Sequence, residues 1–352
     1  MLAQTVSQTP SGVFPGADWE RVKPESAGYS SARLEAVRGW LKTQPTTAMM
    51  VSLGGHVIFE YGDLGRVSKV ASVRKSVLSM LYGNYVFRGT IDMSKTVKQL
   101  GLDDEQPFLP IEEHATLEQL ITARSGIYLP SGNTELDAQT PRRGSQYPGI
   151  YFAYNNWDFD AAGTAFEKLT GKNIYDAMET ELARPIGMQD FERARQKKIP
   201  APGSVHPEYA MYLSTRDMAR LGLLMLRKGD WSGKQLVPIE WVRYTTSIVT
   251  PFHEINPPTW RLLGQPERWG YGVLWWVWDA PLFPSGLSAS PFQGAFAAKG
   301  TGGQFIYVLP AIDLVIVHKV DIDQDSSAHV TPEEFDATVQ MVIASKCDGA
   351  CK

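Results

Sequence analysis

Ala71-Ser72-Val73-Arg74-Lys75 runs straight into the apolar stretch SVLSMLYGNYVF of residues 76–87. The pattern is S-x-x-K at the head of a strongly apolar helix, and it occurs once in the 352 residues. Spacing i to i+3 places Ser72 and Lys75 on one helical face, with a rise of ~4.5 Å between them. Ser72, in the first turn, lies near the positive end of the helix dipole, where a developing oxyanion is favoured. A serine hydroxyl is a poor nucleophile until a neighbouring base takes its proton. A lysine held beside it in an apolar pocket can have its pKa lowered enough to help. A capped helix with a solvated lysine would carry the same residues, so the pattern needs company.

Tyr154-Asn155-Asn156 supplies it: a Y-x-N preceded by Tyr151 and Phe152 and followed by Trp157. A phenol beside an ammonium can have its pKa pulled down and act as a general base. The Asn156 amide can hydrogen-bond a substrate carbonyl or amide, and also the lysine. A second Y-x-N, Tyr82-Gly83-Asn84, lies ten residues further down the Ser72 helix, ~15 Å along its axis, out of reach of the nucleophile. The third element is Lys299-Gly300-Thr301-Gly302-Gly303-Gln304, between two expected strands. Glycines there let a substrate approach the backbone, and an edge N–H can complete an oxyanion hole. A Gly-rich hairpin turn with no chemistry would look the same.

Around these elements the chain has a clear organisation. Ser30 and Ser31 can cap a helix whose apolar face is Leu34, Val37 and Leu41. Two β-rich runs flank Gly54-Gly55, as in a tight hairpin. Near the other end GYGVLWWVW, QGAFAAKG, QFIYVLP and LVIVHKV read as successive strands. Thr331-Pro332-Glu333-Glu334 forms a capping box for a final helix with Phe335, Val339 and Ile343 on one face. Between them, Thr116-x-x-Gln119 and Ser214-x-x-Asp217 start helices, and Trp157 to Thr170 reads as another, stopped by Gly171. The expectation is an α+β fold with an antiparallel sheet flanked by helices. Residues 1–88 and 262–352 form a discontinuous sheet lobe, 89–261 an inserted, mostly helical lobe, and the active site lies in the cleft between them.

Composition excludes several function classes. The chain is 43% hydrophobic with a net charge of −4 and has no basic stripe, which argues against nucleic acid and anionic membrane surfaces. No run approaches the ~18 apolar residues of a membrane span. The start, MLAQTVSQTPSG, lacks signal-peptide regions but reads like residues left after cleavage at a small residue such as Ala3, predicting an exported precursor. Cys347 and Cys351 are the only cysteines, able to close a small loop or to remain two loose thiols on a frayed tail. The six histidines lack metal-like spacing, and His56 and His318 fall within expected strands as structural residues. G-x-S-x-G, H-E-x-x-H and the glycine-rich nucleotide loops are absent, so no metal or cofactor is expected.

Ser72-x-x-Lys75, Tyr154-x-Asn156 and the Lys299 segment, in this order and at these separations, resemble the β-lactamase-related serine hydrolases. That family includes class C β-lactamases, DD-peptidases, D-aminopeptidases, lipolytic esterases and 6-aminohexanoate-dimer hydrolases. The resemblance spans about residues 30 to 345. Leu120-Ile121-Thr122-Ala123-Arg124-Ser125-Gly126 is similar to the family's LLTHTSG segment, residues 214–229 to its S-x-x-D-M-A-R helix, and Trp269-Gly270-Tyr271-Gly272 to its YGYGW strand. It implies that Ser72 is the acylated nucleophile, Lys75 its activator, Tyr154 the general acid/base and Asn156 a supporting contact. The oxyanion hole would then use the Ser72 N–H and a strand N–H between Ala298 and Gln304.

The third motif departs from the family's usual K-T-G or H-x-G, because Gly300 interrupts it. Lys299 therefore need not face a substrate carboxylate, and the reading leans to a small ester or amide rather than a β-lactam or D-Ala-D-Ala. Lys299, Thr301, Gly302, Gly303 and Gln304 are expected to bind that substrate, with Trp157 and Trp269 among the aromatics walling its acyl chain. Alternation along a strand sends about half of those rings into the core instead. The alternatives are a true β-lactamase or DD-peptidase, and a non-catalytic penicillin-binding-like sensor.

Overall fold

The computed structural model describes residues 12–132, 139–257, 268–279, 290–349 and 351. Its strands are β1 (Ala48–Leu53), β2 (His56–Gly62), β3 (Ser68–Lys69), β4 (Lys197–Ala201), β5 (Ser204–Ala210), β6 (Tyr212–Leu213) and β7 (Asp230–Trp231). They continue with β8 (Lys234–Gln235), β9 (Trp269–Tyr271), β10 (Trp276–Trp278), β11 (Phe296–Gly300), β12 (Gln304–Leu309) and β13 (Leu314–Lys319). The helices are α1 (Ser31–Leu41), α2 (Val73–Phe87), α3 (Val97–Leu100), α4 (Leu117–Ile121) and α5 (Asn156–Thr170). Then follow α6 (Ile174–Ala177), α7 (Thr215–Leu226), α8 (Ile239–Thr245) and α9 (Pro332–Ala344).

Among the described residues the main sheet has seven strands in the order β2-β1-β13-β12-β11-β10-β9, every pair antiparallel. Its strands come from both ends of the chain, and the stretch between carries α2 to α8 and three small two-stranded sheets. Gly54 and Gly55 turn β1 into β2 with φ of 62° and 98°, values that favour glycine at both hairpin positions. A β-carbon on Gly55 would lie 1.9 Å from the Val13 carbonyl oxygen, so the turn is also packed from outside.

The central strands β12 and β13 are buried on both faces, and strand alternation sorts residues into two cores. Met49, Val51, Phe305, Tyr307, Leu314 and Ile316 pack with Leu34, Val37 and Leu41 of α1 and Phe335, Val339 and Val342 of α9. Met50, Ile306, Val308, Val315 and Val317 face the other way, toward α2, α5 and α7. The Thr331 capping box that starts α9 forms as expected, as does that of Thr116 at α4. Helix α7 falls within 89–261, yet it packs on the sheet. A β-carbon on its Gly222 would come within 2.6 Å of Val315 and 2.9 Å of Ile306.

One expected strand is two. GYGVLWWVW bends at Leu274, with φ 61°, into the β9–β10 hairpin, and Gly272 lies against the end of α8, where a β-carbon would be 2.3 Å from Thr245 O. Cys347 and Cys351 are disulfide-bonded. Among the described residues no helix is long and apolar enough to cross a membrane.

Candidate active site

Ser72 stands at the N-terminus of α2, after Ala71 in a left-handed conformation with φ 44°. For an alanine that backbone is uncommon, and here it swings the chain from β3 into the helix. The helix is pinned to the β9–β10 turn, because Ser76 Oγ donates to Leu274 O at 2.6 Å and Ser79 Oγ to Val273 O at 2.9 Å. Lys75, 1% exposed, directs its ammonium back toward the helix start. Its Nζ donates to Ser72 Oγ at 3.0 Å, to Tyr154 OH at 2.9 Å and to Asn156 Oδ1 at 2.7 Å. It also lies 4.3 Å from the centre of the Tyr154 ring and 4.5 Å from that of Phe159.

Tyr154 is delivered by a short extended segment. Ala153 N–H donates to Ala123 O at 2.9 Å, which ties the loop to the end of α4. Asn155 then caps α5, its side chain accepting from Asp158 N, and Asn156 opens the helix facing Lys75. Within Y-x-N the middle residue thus starts a helix and the outer two meet the lysine. Trp276 stacks on the Tyr154 ring at 5.7 Å and 23°, with Tyr271 edge-on at 5.8 Å. Burial pushes the Tyr154 phenol up to about 12, although its hydrogen bond with Ser72 and the Arg74 cation pull downward. The expected fall below the ordinary phenol value does not occur, and the phenol is protonated at neutral pH.

The glycine-rich segment corrects several expectations. A β-carbon on Gly300 would lie 3.0 Å from Ser72 N, so Gly300 is the residue whose α-carbon faces the helix start. Lys299, its strand neighbour, projects to the opposite face, with Nζ 4.2 Å from the Trp269 ring centre and 5.2 Å from that of Tyr307. Trp269 belongs to the core beneath α1 and α9, so neither it nor Lys299 points to Ser72. The Gln304 side chain is buried and donates to Val320 O at 2.7 Å. The α-carbons of Gly302 and Gly303 face Ile322, Val320 and Val330, leaving Thr301 at the exposed turn. His318, fully buried, holds this turn through a 2.7 Å hydrogen bond between Nδ1 and Gly303 O. Trp157 is 1% exposed, its indole N–H donating to Asp104 and its ring edge-on to Phe108 and His206. It is a core residue, because its neighbour Asn156 holds the helical face that meets Lys75.

Sequence reasoning missed Gly300 and two buried charges, Arg74 and Asp160. Arg74 Nη2 donates to Asp160 Oδ1 at 2.8 Å, and both are essentially excluded from solvent. Strand alternation from Lys299 would have found Gly300, and the i,i+4 spacing of Asn156 and Asp160 was the available signal for the pair. Among the described residues no cluster of side chains could hold a metal ion.

An antiparallel sheet flanked by helices, with an S-x-x-K serine at a buried helix start opposite a tyrosine, is the architecture of the penicillin-recognising serine hydrolases. The sequence model described as Beta-lactamase matches residues 38–332, and the chain belongs to that family. An uncharacterised protein from Alkalihalophilus pseudofirmus is 25% identical over 263 residues, covering 70% of this chain and 71% of its own. A structure described as a 6-aminohexanoate-dimer hydrolase from Bacillus anthracis superposes with a TM-score of 0.63 at 21% identity, over 94% of this chain and 86% of that one. One described as a β-lactamase from Bacteroides dorei gives 0.62 at 19% identity, over 90% and 99%.

Proposed function

We propose that the protein is a serine hydrolase that cleaves a small ester or amide through an acyl-enzyme on Ser72. The observation that carries this reading is the convergence of Ser72 Oγ, Tyr154 OH and Asn156 Oδ1 on one buried ammonium, Lys75 Nζ, within 3.0 Å. Ser72 Oγ attacks the substrate carbonyl and its proton passes to Lys75, which acts in its neutral form. Tyr154, protonated at rest, delivers a proton to the departing alcohol or amine and is reprotonated through Lys75. Water then adds to the acyl-enzyme by the reverse relay. The Ser72 N–H, at the free end of α2, supports the oxyanion together with a backbone N–H of the adjoining β11 turn.

The preference for a neutral ester or amide rests on Lys299, whose ammonium faces the aromatic core on the far side of the sheet. The likeness to a protein named as a 6-aminohexanoate-dimer hydrolase agrees with an amide or ester substrate. A fluorophosphonate probe tests the nucleophile. Wild type should label at Ser72, and Ser72→Ala should lose both labelling and turnover while keeping its fold, since the Ser72 side chain makes no capping hydrogen bond that α2 would lose. Labelling elsewhere, or more than a few per cent of residual turnover, would overturn the assignment.

A further inference from the structure

Behind the Ser72–Lys75–Tyr154 constellation lies a second cluster of charged side chains. Helix α5 presents Asn156 and Asp160 one turn apart, the first to Lys75 and the second to Arg74. Arg74 Nε is also 3.5 Å from Glu208 Oε1 on β5, and Glu208 in turn pairs with Lys69 Nζ at 3.0 Å. The Arg74 guanidinium stacks 4.6 Å above the Tyr209 ring.

We propose that Arg74, Asp160 and Glu208 are positioning residues that act through Lys75 and Tyr154, setting the pH range in which Ser72 can be acylated. The inference rests on the serine-hydrolase reading above.

Charge balance is the first argument. Lys69 and Arg74 pair with Asp160 and Glu208, and both carboxylates also feel the Lys75 charge. The charge surrounding Lys75 therefore changes with each of these groups, and with it the ease of forming the neutral amine that the reaction needs. Unsaturated hydrogen bonding is the second. Among the described residues Arg74 Nε and Nη1 and Asp160 Oδ2 are buried without hydrogen-bond partners, so the field of these charges is not fully quenched locally.

The electrostatic couplings run the same way. Arg74 lowers the Tyr154 pKa and Asp160 raises it. Burial pushes Asp160 up to about 6 against the pull of Arg74 and Lys75, leaving it ionised at neutral pH. Burial also opposes the Arg74 cation, but Asp160, Tyr209 and Glu208 outweigh it and hold the guanidinium above its ordinary value. Four phenols also lie against the cluster, Tyr82 on α2, Tyr175 on α6, Tyr209 on β5 and Tyr271 on β9, and at its outer end Asp323 accepts from Lys69 N–H at 2.8 Å. Each phenol is raised by burial and therefore neutral.

The test is the pH profile of kcat/KM for p-nitrophenyl butyrate, together with the pH profile of fluorophosphonate labelling of Ser72. Asp160→Asn and Glu208→Gln each remove a negative charge. They should move the acidic limb to lower pH, by about one pH unit for Asp160. Lys69→Met, at a partly exposed position, removes a positive charge and should move the limb upward by a smaller amount. Arg74→Lys keeps the charge and should leave the limb in place while lowering the rate. A merely structural role would scale the rate at every pH and move no limb, and that result overturns the inference. If Asp160→Asn does not fold, the opposite signs expected of Glu208→Gln and Lys69→Met decide. Wild type lacking any Ser72-dependent turnover or labelling would remove the underlying reading and the inference with it. An active wild type whose variants share one limb removes the inference alone.

Discussion

The Lys299 ammonium sits 4.2 Å from the centre of the Trp269 ring, on the face of the sheet opposite the one that Gly300 presents to Ser72. A β-lactam carries a carboxylate, whose desolvation in an aromatic-walled pocket must be offset by a fixed cation or several donors. Lys299 so placed does not provide that cation. Hydrolysis of p-nitrophenyl butyrate should therefore exceed that of nitrocefin in kcat/KM, and Lys299→Met should leave the ratio of the two unchanged. A nitrocefin value equal to or above the ester value would restore a carboxylate-binding site and sink the ester preference.

Local spacing made much of this legible beforehand. Ser72 and Lys75 share a helical face by their separation alone, and capping residues announced α4, α7 and α9. Tyr154 and Asn156 could be picked out because the alternative Y-x-N lay too far down a helix, where Tyr82 in fact donates to Ala162 O inside the core. Features that depend on a distant neighbour were not legible. Which side Lys299 takes is decided by the register of β11 against β12. Trp157 looked like a pocket wall until Asp104, some fifty residues earlier, accepted its N–H. The break in GYGVLWWVW comes from the close packing of its turn on the end of α8, and β-propensity carries no sign of that.

Lys75 and Tyr154 form one relay in the proposed mechanism, so their contributions should not be independent. Lys75→Ala and Tyr154→Phe should each lower the acylation rate by ~10²-fold or more, since each removes a proton carrier. The double variant should lose little beyond the worse single one. Stopped-flow acylation of the four proteins closes the cycle, and losses that simply multiply would show two unrelated effects.

Asp158 offers a stability test apart from the chemistry. Its carboxyl is fully buried, accepts from Ser125 Oγ at 2.5 Å through Oδ1, and has no partner at Oδ2 among the described residues. Burial holds its pKa well above the ordinary value, against the pull of Ser125 and Asn155. For an acid with a raised folded-state pKa, the stabilising contribution is complete below the unfolded value and is eroded as pH rises toward the folded one. Asparagine does not titrate. The Tm difference, Asp158→Asn minus wild type, should therefore grow from about pH 4 upward. A difference that stays flat across that range would mean that Asp158 is ionised in the folded protein.

Gly300 gives the most direct test of how the sheet meets Ser72, the proposed nucleophile. The β-carbon of an alanine there would lie 2.7 Å from Val70 O, 3.0 Å from Ser72 N and 3.1 Å from Gln304 Cβ. The first two are backbone atoms, which cannot turn aside as the end of a flexible side chain can. Either β11 moves off the start of α2, or the backbone at Val70 and Ser72 is displaced. Displacements of that kind disturb the aim of an attacking oxygen and of the N–H groups beside it, and a misplacement near 1 Å can cost ~10²-fold in rate. Overpacking adds about 1–3 kcal/mol of destabilisation. Gly300→Ala should thus lower kcat by roughly that factor, with a modest fall in Tm. Gly39→Ala supplies the control, because that glycine is exposed in α1 with nothing within 4 Å of a β-carbon. It should keep full activity and gain about 1 kcal/mol from helix propensity. If Gly300→Ala retains kcat within about twofold of wild type, the close approach of β11 to Ser72 plays no part in positioning the reaction.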